Sequence, residues 1–362
     1  MEIAVLGGGN GSLAAAVDLT EQGHSVRLWR RSAKDVAAMA NPLMLKDHAG
    51  ARPVTIALIT DDLADAVAGA DLIVCPTPAT AQEDIAGRLA PLLADGQVVF
   101  LPPGTFGSFL FARAMRSAGN GSNVAFAETG TLPWLTRKHG ADTIAITTRA
   151  SRLPTGVLPL DQKDRALALI RQAFPSVEDA GDALSGALMN AGPIIHPPLI
   201  LMNAGPIEHF DHWDIHNEGT QPAIRRVTDA LDAERMATRE ALGYGPPHFP
   251  LIEHYTTDRW MYGNLAHDKL TDSGDWREHL VLTEHRYMRE DVAMGLAFLV
   301  SVAEWVGVPC PVAGGLLALG SAVCGEDFQE TGRTLVAMGL AGLTRDQMTD
   351  LLARGLGRDG AQ

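Results

Sequence analysis

Two groups of residues in this 362-residue chain have types and spacings that clearly suit chemistry, and a third invites the question. The first group is Gly7-Gly8-Gly9-Asn10-Gly11-Ser12, directly after the apolar run Glu2–Leu6 and before a stretch with helical spacing. A glycine-rich turn from strand to helix lets the backbone approach a pyrophosphate, and the helix N-terminus offers N–H groups and the positive end of its dipole. Gly7, Gly9, Asn10 and Gly11 are the cofactor candidates, and Ser12 stands where the fingerprint has a third glycine. The plain alternative is a tight turn with no ligand. About 20 residues on, where an acid would hold a ribose 2′-hydroxyl, the chain reads Trp29-Arg30-Arg31-Ser32. Two guanidiniums and a hydroxyl suit a 2′-phosphate. Arg30, Arg31 and Ser32 therefore predict NADP(H), with NAD(H) as the alternative. Pro76 and Thr77, in the turn after the run Asp71–Cys75, complete the cofactor set, because ligands bind beyond the carboxyl ends of parallel strands.

The second group lies in the other half. His196 sits in Asn190-Ala191-Gly192-Pro193-Ile194-Ile195-His196-Pro197-Pro198, and a histidine is the usual proton donor near neutral pH. Far along the chain, Arg286-Tyr287-Met288-Arg289-Glu290-Asp291 opens an apolar helical run. A half-buried Asp291 wants a partner, and a His–Asp pair fixes an imidazole tautomer and stabilises its cation. Arg286 has the fork that holds a carboxylate bidentately. In an α-helix the five-residue spacing puts Arg286 and Asp291 about 140° apart, so both can face one site only if Arg286 precedes the helix or the helix departs from α geometry. The competing reading is a solvated first turn rich in charge. The third group, His209, His212 and His216 with Asp211 and Asp214, has spacings open to zinc, but a surface or lid loop is the preferred reading and no metal is expected.

The elements that must carry these residues alternate in the first half. Strands are expected at Glu2–Leu6, Ser25–Trp29, Val54–Ile59, Asp71–Cys75 and Gln97–Leu101, with Val124–Ala127 and Thr143–Thr147 extending the sheet. Helices are expected at Leu13–Gln22, closed by Gly23, and at Ala79–Leu93. Apolar strands alternating with helices predict a parallel sheet covered on both faces. Past residue 185 the pattern turns helical, at Ala223–Leu242, Arg289–Val306, Val312–Val323 and Leu343–Leu356. The predicted fold class is α/β: an N-terminal Rossmann-type doubly wound parallel sheet over 1–185 and an all-α domain over 186–362.

Composition narrows the partners. A net charge of −14 with no basic run argues against nucleic acid and anionic membrane surfaces. Three scattered cysteines, Cys75, Cys310 and Cys324, suit a reducing compartment. With no basic n-region after Met1 and no apolar run long enough to cross a bilayer, the expectation is a cytoplasmic protein. Its partners would be small molecules, and its state a monomer or a homodimer.

Together, the Gly-Gly-Gly-Asn-Gly loop, Asn190…His196-Pro-Pro, Asn203-Ala204-Gly205, Arg286-Tyr287…Glu290-Asp291, Glu326-Asp327-Phe328 and Gly332-Arg333-Thr334-Leu335 resemble the opine dehydrogenases, the octopine and nopaline dehydrogenase family. The resemblance runs from residue 1 to about 345. It implies reductive condensation of an amino acid or other amine with a 2-oxo acid such as pyruvate, by hydride transfer from a nicotinamide cofactor to the imine. It maps the catalytic histidine to His196, its aspartate partner to Asp291 and the carboxylate-binding arginine to Arg286. Asn190 and Thr129 join Arg286 as substrate-binding candidates. Two other readings compete. One is a glycerol-3-phosphate or ketopantoate reductase, which leans on a catalytic lysine where the second half of this chain has only Lys269. The other is a non-catalytic NADP-binding sensor.

Overall fold

The computed structural model describes residues 1–263 and 266–356, so 357–362 of the polar C-terminal tail lie outside the described residues. The chain divides into two compact units. The first comprises Met1–Thr77, Ala81–Ala187 and the chain from Thr349, and the second comprises Pro78–Thr80 with Leu188–Met348.

Twelve strands fall in the first unit: β1 (Glu2–Leu6), β2 (Ser25–Trp29), β3 (Leu43–Asp47), β4 (Gly50–Val54), β5 (Leu58–Thr60), β6 (Leu72–Val74), β7 (Val98–Leu101), β8 (Ala125–Thr129), β9 (Trp134–Lys138), β10 (Thr143–Arg149), β11 (Leu153–Leu158) and β12 (Val177–Asp182). Eight of them form one sheet in the order β12-β11-β8-β7-β6-β1-β2-β5. Its run β5-β2-β1-β6-β7-β8 is parallel throughout, whereas β11 joins β8 antiparallel. In β1, β6 and β7 the side chains are buried on both faces apart from Glu2 at the edge, as a helix-covered parallel sheet requires. This is the doubly wound sheet expected from the alternation of elements. The strand-order reversal beside β1 places the glycine turn at the carboxyl edge, where such sheets bind ligands.

Several elements differ from expectation. Thr143–Thr147 does not extend the main sheet. It belongs to β10, in a separate four-stranded sheet ordered β4-β3-β10-β9. That sheet is tied to the first helix, Asn10–Glu21, through buried Asp18, whose carboxylate accepts from Trp134 Nε1 at 2.8 Å and from Arg149 Nε at 2.8 Å. The single strand expected over Val54–Ile59 splits between β4 and β5. The Asn41 side chain takes both backbone groups of Ile56, accepting from its N–H at 2.9 Å and donating to its carbonyl at 2.8 Å, so this stretch leaves the ladder. The Ala79–Leu93 helix is α only over Gln82–Leu89, with 3₁₀ turns on either side and Pro91 in the second.

Helices are the regular elements of the second unit's described residues, and the helix expected over Arg289–Val306 begins as something else. Tyr287–Leu296 is a π-helix that passes into α-helix at Ala297–Val306. Small residues let its neighbours close on it. A Cβ on Gly295 would stand 2.1 Å from Pro193 Cγ, one on Gly320 2.6 Å from Val292 Cγ1, and one on Gly332 2.2 Å from the Ala293 carbonyl oxygen. Gly295→Ala is therefore expected to destabilise the protein by about 1–3 kcal/mol through overpacking, read as a lower urea midpoint with an unchanged slope.

The expected domain limits of 1–185 and 186–362 differ from the contact units at both ends. The join falls between Ala187 and Leu188, and the chain from Thr349 returns to the first unit, where Gly355 packs on Pro159. No helix of the described residues is long and apolar enough to cross a membrane.

Candidate active site

In the first unit the glycine turn is tightly enclosed on one side and open on the other. Gly7 has φ +111°, which only glycine adopts readily, and a Cβ there would lie 2.7 Å from Ser12 Oγ and 2.9 Å from Thr77 Cγ2. Ser12 is buried and donates to the Leu6 carbonyl at 3.1 Å, so the residue in the third-glycine position pins helix to strand. A Cβ on Gly11 would meet Leu132 and Pro76, whereas one on Gly9 would meet nothing within 4 Å. Pro76 and Thr77 thus flank the turn, and the open side at Gly9 is where a pyrophosphate would lie against the first N–H groups of the Asn10–Glu21 helix. The residues fit a dinucleotide.

The other cofactor candidates are placed unevenly. Arg30 stretches over Gly8, where an added Cβ would sit 2.6 Å from its Cζ, and pairs with Asp35 at 3.0 Å. Arg31 is exposed and lies 3.5 Å from Asp84. Ser32 caps the short helix Ala33–Ala37, accepting from Asp35 N–H. Asn10 spends its side-chain oxygen on the Lys138 N–H at 2.9 Å. The Lys138 ammonium stands 3.3 Å from the Gly8 carbonyl oxygen, a cation at the glycine turn that sequence reading missed because β9 follows in the chain by more than a hundred residues.

Thr129 is fully buried in β8 and donates to the Pro154 carbonyl of β11 at 2.8 Å, which ties two strands together. The neighbouring Glu128 is equally buried. It accepts from the backbone N–H of Phe106 at 2.6 Å and from Ser108, and so fixes the turn after β7. Thr129 is the substrate-binding candidate of the two, and in this structure its hydroxyl bonds to the neighbouring strand.

In the second unit, the helix Gly192–Met202 carries His196, and the π-helix carries Asp291. His196 Nδ1 lies 2.7 Å from Asp291 Oδ2. The Asp291 carboxyl is buried, and burial pushes it up to about 7 against the pull of Arg286. Room for it comes from Gly192, where a Cβ would be 2.3 Å from Asp291 Oδ1. Asn190 is also buried, and its side-chain oxygen accepts from Gly192 N–H at 3.0 Å at the start of the His196 helix. Gly192→Ala is expected to push Asp291 off His196 and to lower kcat by about 10²-fold, with the affinity for a nicotinamide cofactor unchanged by fluorescence titration. An unchanged kcat would contradict this geometry.

The five-residue offset is resolved by the helix type. In a π-helix each N–H bonds five residues back, so residues five apart come round to neighbouring positions. Arg286 immediately precedes the first turn, and both exits from the 140° problem are taken together. Arg286 keeps half its side chain exposed and lies 3.5 Å from buried Glu290 Oε2. Glu290 Oε1 accepts from Ala79 N–H at 3.0 Å. Burial raises the Glu290 pKa, and Arg286 opposes the shift.

Two further residues complete this cluster. Tyr287 stacks on His196 with ring centroids 3.7 Å apart and 13° between planes, and its hydroxyl shares a 3.0 Å hydrogen bond with His216 Nε2. The histidine-rich segment is thereby dispersed: His216 is buried against Tyr287, while His209 and His212 are exposed. Among the described residues no three His, Cys, Asp or Glu side chains gather as a metal site.

Comparison with known proteins fits this geometry. Residues 179–324 match the family model for the NAD/NADP octopine/nopaline dehydrogenase alpha-helical domain, and residues 2–102 match the N-terminus of NAD-dependent glycerol-3-phosphate dehydrogenase. An opine dehydrogenase from Arthrobacter sp. (strain 1C) is 28% identical over 94% of this chain and 96% of its own length. Along nearly its whole length the chain is similar to the opine dehydrogenases. It is an NAD(P)-dependent oxidoreductase acting on the CH–NH group of donors. A vitopine synthase from Allorhizobium ampelinum is 29% identical over 97% of this chain and 99% of its own length. In fold it resembles octopine dehydrogenase in complex with NADH and agmatine, at TM-score 0.73 and 19% identity over 99% of both chains. It also resembles NADP+-bound yersinopine dehydrogenase, at TM-score 0.63 and 16% identity over 98% of both.

Proposed function

We propose that this protein condenses an amine, such as an amino acid, with a 2-oxo acid such as pyruvate, and reduces the imine to an N-carboxyalkyl amino acid with NADPH. The observation that carries the reading is the His196–Asp291 pair with Arg286 brought to the same side by the π-helix. Asp291 holds Nδ1, which fixes the tautomer and makes Nε2 the nitrogen that serves the substrate. From Nε2, His196 polarises the keto oxygen and supplies the proton needed as water leaves and the imine forms. Arg286 holds the carboxylate of the 2-oxo acid through charge-assisted hydrogen bonds. The nicotinamide, when bound, supplies the hydride.

Preference for NADPH rests on Arg30 and Arg31 where an NAD site would carry an acid. The double variant R30A/R31A is expected to raise the KM for NADPH about 10–100-fold, from the loss of charged hydrogen bonds, while the KM for NADH moves by less than about twofold. Initial rates with each cofactor check this, and equal effects on both would overturn the 2′-phosphate assignment. The three free cysteines suit a cytoplasmic setting for this activity. The full reading is tested by NADPH oxidation with a 2-oxo acid in the presence and absence of amines.

A further inference from the structure

We propose that Tyr287 and His216 are positioning residues for His196, Tyr287 setting the plane and the proton affinity of the imidazole and His216 holding Tyr287 in place. The inference rests on the reading of His196 as the proton donor, and it starts from geometry that reading does not need. A His–Asp hydrogen bond fixes one ring nitrogen but leaves rotation about that bond to be settled by packing. Here the Tyr287 ring lies almost parallel to His196 at 3.7 Å between centroids, close enough to block that rotation. The Tyr287 hydroxyl is in turn bonded to His216 Nε2 at 3.0 Å, and the His216 ring meets His196 edge-on at 5.8 Å. The backbone beneath His216 is also held, since its main-chain N–H donates to the Asp214 carboxylate at 2.9 Å. All three rings are at least largely buried, so each contact acts with little competition from water.

The stack also has an electrostatic consequence. The face of an aromatic ring is electron-rich and attracts a cation lying over it, so Tyr287 favours the imidazolium over the neutral ring. Charged or titratable groups that face His196 include Asp291 on Nδ1, Glu290 and Arg286 on or beside the π-helix, and His216 from the turn after Asp214. Its own helix, Gly192–Met202, contributes no further titratable side chain. His285 and Arg286 touch the Tyr287 ring, at 4.4 Å between centroids and 5.7 Å from Cζ to centroid, and remain in place in every variant below.

The test is a histidine side-chain ¹⁵N NMR titration of the full chain with NADPH bound, run beside pH profiles of kcat. In Y287L the protonation midpoint of His196 is expected to fall by about one pH unit, the size of a buried cation–π contact. In Y287F, which keeps the ring, the midpoint stays within a few tenths of a unit while kcat falls about fivefold as the bond to His216 is lost. H216L is expected to reproduce the Y287F result, and it carries the test if Y287L does not fold. A His196 midpoint unmoved in Y287L, or H216L with parental kcat and midpoint, overturns the proposal and makes Tyr287 a core residue. The underlying reading fails separately: H196N with parental turnover refutes it, whatever the titration gives.

Discussion

His196→Asn is expected to lower kcat by about 10³-fold, within the range that a positioned acid–base group supplies, while NADPH affinity changes by less than about twofold. The size follows from the arrangement. Asparagine keeps a polar side chain near Asp291 but cannot deliver a proton at neutral pH. The cofactor affinity follows from distance in the chain, since the glycine turn, Arg30, Lys138, Pro76 and Thr77 are all in the first unit. Steady-state rates and fluorescence titration of NADPH separate the two quantities. Parental kcat in this variant would favour a sensor that kept the fold; parallel loss of rate and cofactor binding would point to misfolding.

Arg286→Leu is expected to raise the KM for the 2-oxo acid by about 10²-fold, the loss of a bidentate charged contact, and Arg286→Lys is expected to recover little of it, because a point charge lacks the fork. The KM for the amine should move far less. One complication is intrinsic to the site. Removing Arg286 strands the Glu290 carboxylate, which burial already disfavours in its charged form, and uncompensated buried charge is strongly destabilising. The double variant R286L/E290Q separates the effects: stability should return while the KM for the 2-oxo acid stays high. Recovery of that KM in the double variant would mean that Arg286 serves Glu290 rather than substrate.

What was legible in the sequence was local. The glycine turn is a strand, a turn and a helix within about 20 residues, and its chemistry depends on residue types that cannot be mistaken. The parallel sheet followed from apolar strands alternating with helices. What escaped depended on side chains reaching across the chain. Asn41 cuts a strand at Ile56, and Asp18 recruits Trp134 and Arg149 to build a second sheet; neither leaves a periodic trace. In the candidate site, the π-helix was invisible because apolar spacing is read against an α-helical period, and the problem it solved appeared only as the five-residue offset between Arg286 and Asp291. Tyr287 stood out only as a member of the Arg286–Asp291 segment, and His216 as part of a histidine cluster, because the bond that joins them spans 71 residues. For Thr129 the sequence shows a hydroxyl after an apolar strand but not its bond to the Pro154 carbonyl, a contact 25 residues away in the chain.

The central claim is that one site joins an amine to a 2-oxo acid before reducing the product. NADPH oxidation measured with pyruvate alone, with an amino-acid panel alone, and with both together tests it most directly. The account predicts oxidation that requires both partners, with the secondary amine dicarboxylate as product by mass spectrometry. Oxidation at full rate with the 2-oxo acid alone, giving a hydroxy acid, would contradict it.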